Sequence, residues 1–354
     1  MKKLLSFLMM LFVLGGCGAY ENGSERVASE NKKDTDVLTI VLWNVQAVFD
    51  GKEDGREYED YTDGWTREKY LARLNAIGNA LDSIETTPDI VALVEVENSD
   101  VLEDLSRGIL VKYGYHWTFF GHNEGSALGI GVLSKLPFTK TQVHAAQHNG
   151  LTAPRPILEA QITVEGQSMA LFFCHWKSKL GGDIETEPSR RLSARVVARR
   201  IEEIHAETPD MPVIVMGDLN ENYNEFFLQD KAYVTALLPD DPTAAEMAQG
   251  QTDFLVISAG KPPIAEYFSC LALYSPWTEM EGGSYNYQKS WETIDHFLLN
   301  FPLFDEKDWE FGSCAVIRQA SFLNKYGYPA SYNPNTGYGL SDHLPLLLTL
   351  NNKK

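Results

Sequence analysis

The 354-residue sequence is poor in cysteine and in positive charge. It has 4 cysteines, and its 30 lysines and arginines stand against 49 aspartates and glutamates, which gives a net charge of −19. With this excess of acid, the field of the whole chain does not attract nucleic acid. Without Cys17, which lies in the N-terminal segment treated below, Cys174, Cys270 and Cys314 remain, and an odd number excludes a fully paired disulfide framework. A Cys270–Cys314 bridge and three free thiols both stay open.

The N-terminus lacks an apolar run long enough to cross a bilayer comfortably. Its run from Leu4 to Leu14 follows two lysines and ends at Gly15-Gly16-Cys17, which predicts a secretory signal over residues 1–16. The letters LGGC resemble a bacterial lipobox, and Cys17 would then be the lipidated N-terminus. A plain signal peptide and a retained short anchor are the alternatives. Residues 17–36 are polar and without apolar periodicity, as in a flexible tether.

These features predict an exported protein that its lipid holds on the cell envelope, at the outer membrane or the cell surface. The membrane would be contacted through the N-terminal lipid only, and we expect a monomer. The mature chain would carry −21, because the leader contains Lys2 and Lys3.

Apolar strands and amphipathic helices interleave through the rest of the chain. No internal repeat and no low-complexity linker interrupts residues 37–351, so we predict one α/β domain of the α+β type there. Residues 240–290 are rich in proline, glycine and polar residues and predict a long surface excursion. Predicted helices cover 66–84, 100–114 and 187–206; predicted strands cover 37–45, 88–98, 115–120, 129–134, 138–144, 156–164, 168–175, 211–220, 291–300 and 344–350.

Polar side chains stand at the ends of several apolar strands, where burial is costly unless the group is paired or binds a cation. Their types are carboxylate, amide and imidazole, without a cysteine-rich or histidine-rich cluster. Oxygen donors suit a hard cation such as Mg²⁺, with Mn²⁺ or Ca²⁺ as other options, and two histidines suit acid–base chemistry. A metal beside His and Asp is a recurrent arrangement for phosphoester hydrolysis. The residues are Asn44, Glu95, His175, Asp218, Asn220, Asp295, Asp342 and His343.

Five motifs occur in the order found in the endonuclease/exonuclease/phosphatase superfamily, which the chain resembles over about residues 37–351. They are LWNVQAVFD, DIVALVEVEN, VMGDLNEN, TIDHFLLN and LSDHLPL. HWKSK (175–179) and SYNYQKSWETIDH (284–296) look most like the secreted bacterial branch. The resemblance implies the DNase I-like fold, a four-layered α/β sandwich of two mixed β-sheets packed face to face with helices outside.

The same resemblance implies a role for each motif residue in metal binding. Glu95 would bind Mg²⁺, with help from Asn44 and from Gln46 just beyond it, and Gln46 is also predicted to contact the substrate. Asp342 would bind a second metal ion or support the first.

The resemblance also implies the catalytic roles. Asp218 would position or deprotonate the attacking water, and Asn220 would hold a phosphoryl oxygen. His343 would be a general base or a phosphate contact, oriented by Asp295. His175 would stabilise developing charge or protonate the leaving oxygen.

A local excess of positive charge follows His175 in this acidic chain. Lys177 and Lys179 come directly after it, and Arg190 and Arg191 lie near the start of a predicted helix, so we expect these four to contact substrate phosphate. Charges beyond about 8–10 Å are screened, so a local cluster can outweigh the global field. Arg195, Arg199 and Arg200 are as well explained by a solvated helix face.

The leading hypothesis is a Mg²⁺-dependent phosphodiester hydrolase, a nuclease cleaving DNA or RNA by in-line attack of an activated water. A phospholipid or sphingolipid phosphodiesterase, or an inositol-phosphate phosphatase, is the alternative on the same fold. A non-catalytic binding lipoprotein is the third hypothesis, and the presence of the full set of acids, amides and histidines speaks against it.

Overall fold

The computed structural model describes residues 36–62 and 64–354. The predicted signal peptide, Cys17 and all of the predicted tether except its last residue lie outside the described residues. Within the described part, no helix is both long enough and apolar enough to cross a membrane. Cys174, Cys270 and Cys314 are all unpaired, so the structure forms no Cys270–Cys314 bridge.

Strands and helices follow one another in mixed order along the chain. The strands are β1 (Val37–Val48), β2 (Ile90–Val96), β3 (Trp117–Gly121), β4 (Gly129–Ser134), β5 (Phe138–His144), β6 (Gln147–His148), β7 (Leu151–Thr152), β8 (Ile157–Val164), β9 (Gln167–His175), β10 (Val213–Asp218), β11 (Leu237–Pro239), β12 (Leu255–Ile257), β13 (Ala272–Leu273), β14 (Tyr285–Tyr287), β15 (Ser290–Glu292), β16 (Asp295–Leu299), β17 (Trp309–Val316) and β18 (Leu346–Asn352). The α-helices are α1 (Arg67–Asp82), α2 (Ser99–Arg107), α3 (Asp183–Glu207), α4 (Glu225–Leu228) and α5 (Pro242–Met247).

Two large mixed sheets form the centre of the domain. The first has the order β17-β18-β1-β2-β4-β3, and the second has the order β16-β10-β9-β8-β5. In the first sheet β1 and β2 are parallel, and in the second β9 and β10 are parallel. Parallel neighbours end at the same edge, so each sheet brings the carboxyl ends of two strands together.

The core lies in layers on both sides of each sheet. Leu42 and Val94 of the first sheet and Phe173 and Met216 of the second belong to one buried cluster between the sheets. A second cluster packs α1 and α2 on the outer face of the first sheet, and a third packs α3 on the outer face of the second. Burial on both faces explains why these strands read as continuous apolar runs. The predicted four-layered α/β sandwich of two mixed sheets is confirmed.

The elements with strong periodicity lie close to their predicted positions. Helix α1 begins where expected, because Thr66 caps it by accepting a hydrogen bond from the Lys69 backbone N–H. Helix α2 is shorter than predicted and ends before Gly108.

The predicted surface excursion is only partly irregular. It contributes β12 and β13 to a small parallel sheet with β11, whose buried side chains pack in the cluster below α3. Strand β17, at the edge of the first sheet, was not predicted. Strands of two or three residues, such as β12 and β13, are too short to show an alternating pattern in the sequence. Strand β17 is longer, but several of its positions are exposed, so it does not form a continuous apolar run.

Candidate active site

Three predicted residues form one row across the second sheet. Asp218 ends β10, and its register partners are His175 at the end of β9 and Asp295 at the start of β16. Residues directly opposite one another in a sheet project from the same face, so the three side chains share one side of it. All three are buried, with 5%, 2% and 1% exposure for His175, Asp218 and Asp295.

The first sheet contributes Asn44 and Glu95 from the parallel strands β1 and β2. The Asn44 side-chain nitrogen donates to Glu95 Oε1 at 3.2 Å and to Asp218 Oδ2 at 2.9 Å, which joins the two sheets. Its oxygen accepts from the backbone N–H of Gln46 at 3.0 Å. Asn44 therefore presents its amide nitrogen to the carboxylates and, in this geometry, orients the candidate metal ligands; its role as a metal ligand stays a prediction.

Several residues of the site adopt left-handed backbone conformations. The φ angles are 71° at Glu95, 51° at Gln46 and 52° at Asn220. Such angles are uncommon for residues other than glycine, and they concentrate where surrounding structure holds a site in place. Gly217, which precedes Asp218, has φ of 149°, and a Cβ there would clash with the backbone carbonyl of Cys174.

The Asp342-His343 pair precedes β18, and His343 is only 6% exposed. Its Nδ1 lies 2.7 Å from Asp295 Oδ2, and its Nε2 lies 3.9 Å from Asp218 Oδ2. The Trp43 indole donates to the His343 carbonyl at 3.0 Å. The imidazole is thus held between two carboxylates of the second sheet.

The two histidines of the site have opposite electrostatics. Burial alone would lower the pKa of His343, but the charge and hydrogen bond of Asp295 hold that pKa well above its usual range. Burial and the nearby Arg155 charge lower the pKa of His175 well below its usual range. These shifts favour the charged form of His343 and the neutral form of His175.

The carboxylates of the site are crowded. Burial raises the pKa of Asp218 to about 7, and burial together with the charge of Asp342 raises the pKa of Glu95. Asp342 accepts no side-chain hydrogen bond from any of the described residues, and it lines the same pocket. His175 Nε2 lies 3.8 Å from both Glu95 Oε1 and Asp218 Oδ2.

These residues surround one pocket of about 590 Å³. Lys179, Tyr285, Tyr287 and Glu292 line its outer part, and Asn220 lies beside Asp218, where its amide donates to the Trp176 carbonyl at 3.2 Å. The predicted catalytic residues are thereby brought together. Those that line the pocket are Glu95, His175, Asp218, Asn220, Asp342 and His343.

Arg155 also lines this pocket, and the sequence analysis missed it. Its guanidinium donates to the Trp176 carbonyl at 3.0 Å. The available signal was a cation between two prolines, in the letters APRPILEA, directly before strand β8. An arginine directly before an apolar strand, on the sheet that carries His175, indicates a substrate contact as strongly as Lys177 and Lys179 do.

Gln46 does not face the pocket as a free substrate contact. Its side-chain oxygen accepts from the backbone N–H groups of Tyr332 and Asp342, and from the Ser331 hydroxyl. Its side-chain nitrogen donates to the Tyr332 carbonyl at 3.3 Å. The amide is fully engaged in holding the segment that carries Asp342, so the predicted substrate role is corrected to a structural one.

Arg190 and Arg191 were predicted to bind substrate, and the structure corrects both. Arg190 is fully buried and pairs with Glu187 at 2.6 Å and with Glu221 at 3.0 Å. Arg191 keeps 20% of its side-chain surface exposed, but its guanidinium pairs with Asp253. Neither arginine lines the pocket, and the buried Arg190 charge is already neutralised by its own partners.

The two lysines after His175 have different positions. Lys177 folds back on its own loop and donates to the carbonyls of Ser178 at 2.9 Å and Leu180 at 3.0 Å. Lys179 lines the pocket and pairs with Glu225 at 2.8 Å. Lys179 is therefore the better placed of the two for a substrate.

The donors present fit a divalent cation. Glu95, Asp218 and Asp342 all line the pocket, and burial together with the Asp342 charge raises the pKa of Glu95, a cost that a bound cation would offset. Asp218, Asp295 and His343 also lie close together, but Asp295 raises the pKa of His343, and a protonated imidazole has no lone pair for a metal ion. Glu95 and Asp342 are the residues that would then hold the cation, and this assignment stays a prediction.

The sequence matches the Endonuclease/Exonuclease/phosphatase family over residues 39–352. Among solved structures, D. rerio TDP2 complexed with a single-strand DNA product has a TM-score of 0.52 at 17% identity, covering 89% of this chain and 99% of that chain. The human Nocturnin catalytic domain with bound sulfate has 0.51 at 16%, covering 90% and 95%. A family protein from Bacteroides thetaiotaomicron has 0.52 at 14%, covering 89% and 97%. Among curated proteins, no sequence matches.

At these identities the structural likeness shows the fold, and the DNase I-like architecture expected from the sequence is confirmed. The family match spans nearly all of the described chain, and it confirms the expected phosphoester hydrolase type. The chain belongs to the endonuclease/exonuclease/phosphatase family.

Proposed function

We propose that this protein is a divalent-metal-dependent phosphodiester hydrolase whose substrate is a nucleic acid, with Mg²⁺ as the natural cation. One observation carries the proposal. The Asp295–His343 pair faces Asp218 inside a pocket that also holds Glu95 and Arg155. Carboxylates for a cation, a charged imidazole and an arginine are the groups that stabilise charge on a phosphoryl oxygen.

Each side chain has a distinct part in the proposed reaction. Asp218, with a pKa of about 7, accepts a proton from the attacking water near neutral pH. The His343 imidazolium, oriented by Asp295, donates a hydrogen bond to a phosphoryl oxygen as its charge grows. Arg155 binds a non-reacting phosphoryl oxygen as a fork. The bound cation supplies electrostatic stabilisation of the phosphoryl group.

His175 and Asn220 complete the pocket. Neutral His175 accepts or donates one hydrogen bond beside Glu95 and Asp218 without adding charge. The left-handed backbone at Asn220 holds its side chain at the pocket wall, within reach of a substrate oxygen.

The nucleic-acid substrate is supported by two findings. D. rerio TDP2, which shares the fold, is described in complex with a single-strand DNA product. The pocket also concentrates Arg155 and Lys179 in a chain whose overall charge is negative. We expect single strands and ends to be cut faster than long duplexes, because a concave pocket admits a flexible strand and the acidic surface repels a long polyanion.

The test uses the full-length protein in mild detergent with Mg²⁺. A labelled single-stranded oligonucleotide and a supercoiled plasmid are offered in parallel, with an EDTA control. Cleavage of either that requires the metal supports the proposal. If neither is cut while bis(p-nitrophenyl) phosphate is hydrolysed, the nucleic-acid part fails and phosphodiester hydrolysis remains.

A second candidate, a phospholipid phosphodiesterase, is favoured by one feature of the pocket mouth. Leu180 lines the pocket and is 85% exposed, and Ile184, two residues after Gly182, is 63% exposed. Helix α4 is tied to this loop through the Lys179–Glu225 pair, and it exposes Phe227 and Leu228. We call Leu180, Ile184, Phe227 and Leu228 the apolar rim. It is suited to the hydrocarbon part of an amphiphile whose phosphate enters the pocket.

One comparison distinguishes a nuclease from a phospholipid phosphodiesterase. A Leu180→Ser/Ile184→Ser variant should lose hydrolysis of phosphatidylcholine vesicles by at least about tenfold relative to oligonucleotide cleavage, since each buried apolar side chain contributes roughly 1.5–3 kcal/mol. The matched control is Val111→Ser/Leu151→Ser, which removes equally exposed apolar side chains elsewhere. If wild type leaves vesicles intact, the lipid candidate is rejected.

We also propose that the protein is exported, lipidated at Cys17 and attached to the cell envelope, as a member of the secreted bacterial branch of the family. The lipobox-like LGGC and the motifs HWKSK and SYNYQKSWETIDH support this. Wild type should partition into detergent after phase separation of cell extracts, and Cys17→Ala should not. Partition of both variants to the aqueous phase would contradict the lipid anchor.

A further inference from the structure

The segment that leads into β14 packs against the Asp295–His343 pair. Ser284 precedes β14, is fully buried, and donates from its hydroxyl to Asp295 Oδ2 at 2.6 Å. The same oxygen faces His343 Nδ1 at 2.7 Å. One carboxylate oxygen therefore joins a serine hydroxyl and the imidazole, so the hydroxyl fixes the direction from which Asp295 approaches His343.

Tyr285, the next residue, contacts the other part of the pair. Its ring lies against the His343 ring with centroids 4.6 Å apart and planes 33° from parallel. The backbones of Tyr285 and His343 pair in an isolated antiparallel bridge, and the Leu344 N–H donates to the Ser284 carbonyl at 2.7 Å. Backbone pairing of two segments nearly 60 residues apart sets the distance between the two rings.

The contact is made by the ring of Tyr285 and not by its hydroxyl. Burial raises the pKa of Tyr285 to about 12, so the phenol is neutral, and its hydroxyl has no hydrogen-bond partner among the residues described. An imidazole with one nitrogen on a carboxylate can still swing about that bond. A ring packed on its face removes that freedom and keeps Nε2 directed toward Asp218, 3.9 Å away.

We propose that Ser284 and Tyr285 are positioning residues of the active site, the hydroxyl orienting Asp295 and the aromatic face fixing the tilt of His343. This deepens the proposed function and rests on it, because it assigns the two residues to the same reaction. Neither residue transfers a proton. Ser284 and Tyr285 are the first two residues of the SYNYQKSWETIDH motif, and the sequence analysis assigned no role to either of them.

Kinetics with bis(p-nitrophenyl) phosphate and Mg²⁺ test the proposal on the full-length protein. Tyr285→Leu should lower kcat by roughly 10- to 100-fold with KM changed less than about threefold, because a misplacement of about 1 Å can cost that much. Tyr285→Phe should stay within about threefold of wild type. Ser284→Ala should lower kcat in the same way, and Ser284→Thr should recover most of it.

Two exposed positions serve as matched controls. Tyr326→Leu and Ser313→Ala remove the same chemical groups at residues that do not line the pocket, and both should leave kcat and KM unchanged. Equal losses in Tyr285→Phe and Tyr285→Leu would overturn the proposal, because they would assign the effect to the hydroxyl. A rise in KM with unchanged kcat would overturn it by making Tyr285 a substrate contact.

A spectroscopic readout separates this proposal from the proposed function. The His343 Nδ1–H in its short bond to Asp295 should give a far-downfield proton resonance, assigned by its loss in His343→Gln. The resonance should persist in Tyr285→Phe and broaden or vanish in Tyr285→Leu and Ser284→Ala. If wild type hydrolyses no phosphodiester yet shows this pattern, the function fails and the positioning stands; an unaltered resonance in Tyr285→Leu refutes the positioning.

Discussion

The side-chain nitrogen of Asn44 donates a 2.9 Å hydrogen bond to Asp218, which lies 174 residues further along the chain and in the opposite sheet. The same nitrogen donates to Glu95 at 3.2 Å. One amide therefore contacts both a predicted metal ligand, Glu95, and a predicted catalytic carboxylate, Asp218. The two sheets of the sandwich meet at this contact, and the site depends on their relative placement.

Replacing Asn44 should weaken cation binding more than it weakens folding. In Asn44→Ala both carboxylates lose a donor, and we expect the Mg²⁺ concentration for half-maximal activity to rise about tenfold, the lower end of effects seen for groups that orient metal ligands. Asn44→Asp should be worse, because it adds a third carboxylate in contact with two others. Activity is measured against Mg²⁺ concentration, with the exposed Asn335→Ala as control. Identical metal dependence in all three variants would contradict this role.

Arg155 should act on substrate binding. Its removal in Arg155→Ala costs a charge-assisted hydrogen bond to phosphate, worth roughly 1.5–3 kcal/mol, so KM should rise about tenfold or more. Arg155→Lys keeps the charge and loses the fork, and should be intermediate. Steady-state kinetics with a small phosphodiester measure both. An unchanged KM in Arg155→Ala would mean that the side chain only supports the Trp176 carbonyl.

Replacing Arg190 should lower the stability of the fold and leave substrate binding unchanged. Arg190→Ala leaves Glu187 and Glu221 buried without their cation, and breaking a buried pair in this way costs about 3–5 kcal/mol. Urea denaturation of wild type and variant measures the change in the free energy of unfolding. The partly exposed Arg191→Ala is the matched control and should cost less than about 1 kcal/mol. A stable Arg190→Ala variant with a raised KM would restore the substrate role that the sequence suggested.

Low pH should lower the stability of the domain, because it protonates Glu159. Burial alone would raise the pKa of this fully buried carboxyl, but His144 and Arg200 lower that pKa to about 2. Because the folded pKa lies below the unfolded value, the group stabilises the fold above about pH 4.5, and this contribution disappears as the pH falls toward 2. A shift of this size corresponds to roughly 3 kcal/mol.

The measurement is the free energy of unfolding at pH 7 and at pH 3 for wild type and Glu159→Gln. The difference between the two proteins should shrink at the lower pH. If the difference is the same at both values, the carboxylate does not carry this part of the acid sensitivity.

The positions of Asn44, Glu95, His175 and Asp218 were readable from the sequence for a physical reason. Each interrupts or ends an apolar strand that is buried on both faces, so the strand is easily recognised and the polar residue in it is conspicuous. Parallel pairing then brings the ends together at one edge.

The basic residues could not be sorted in the same way. A sequence shows that Arg190 carries a charge, but its burial depends on Glu221, which folding brings beside it from 31 residues away. Arg155 lies in an irregular segment between two prolines, where no periodicity marks its direction. Gln46 was placed near the site correctly, yet its partners at 331–342 come from a loop whose path is not encoded by any short motif.

The roles of the metal and of His343 are tested together by comparing hydrolysis of bis(p-nitrophenyl) phosphate by wild type with Mg²⁺, by wild type with EDTA, and by His343→Ala with Mg²⁺. We predict activity only where the metal and His343 are both present, with a loss of about 10²–10³-fold in the variant, the usual cost of removing a donor that stabilises developing charge. Equal rates for wild type and His343→Ala, in the presence of Mg²⁺, would contradict the assignment of the Asp295–His343 pair to catalysis.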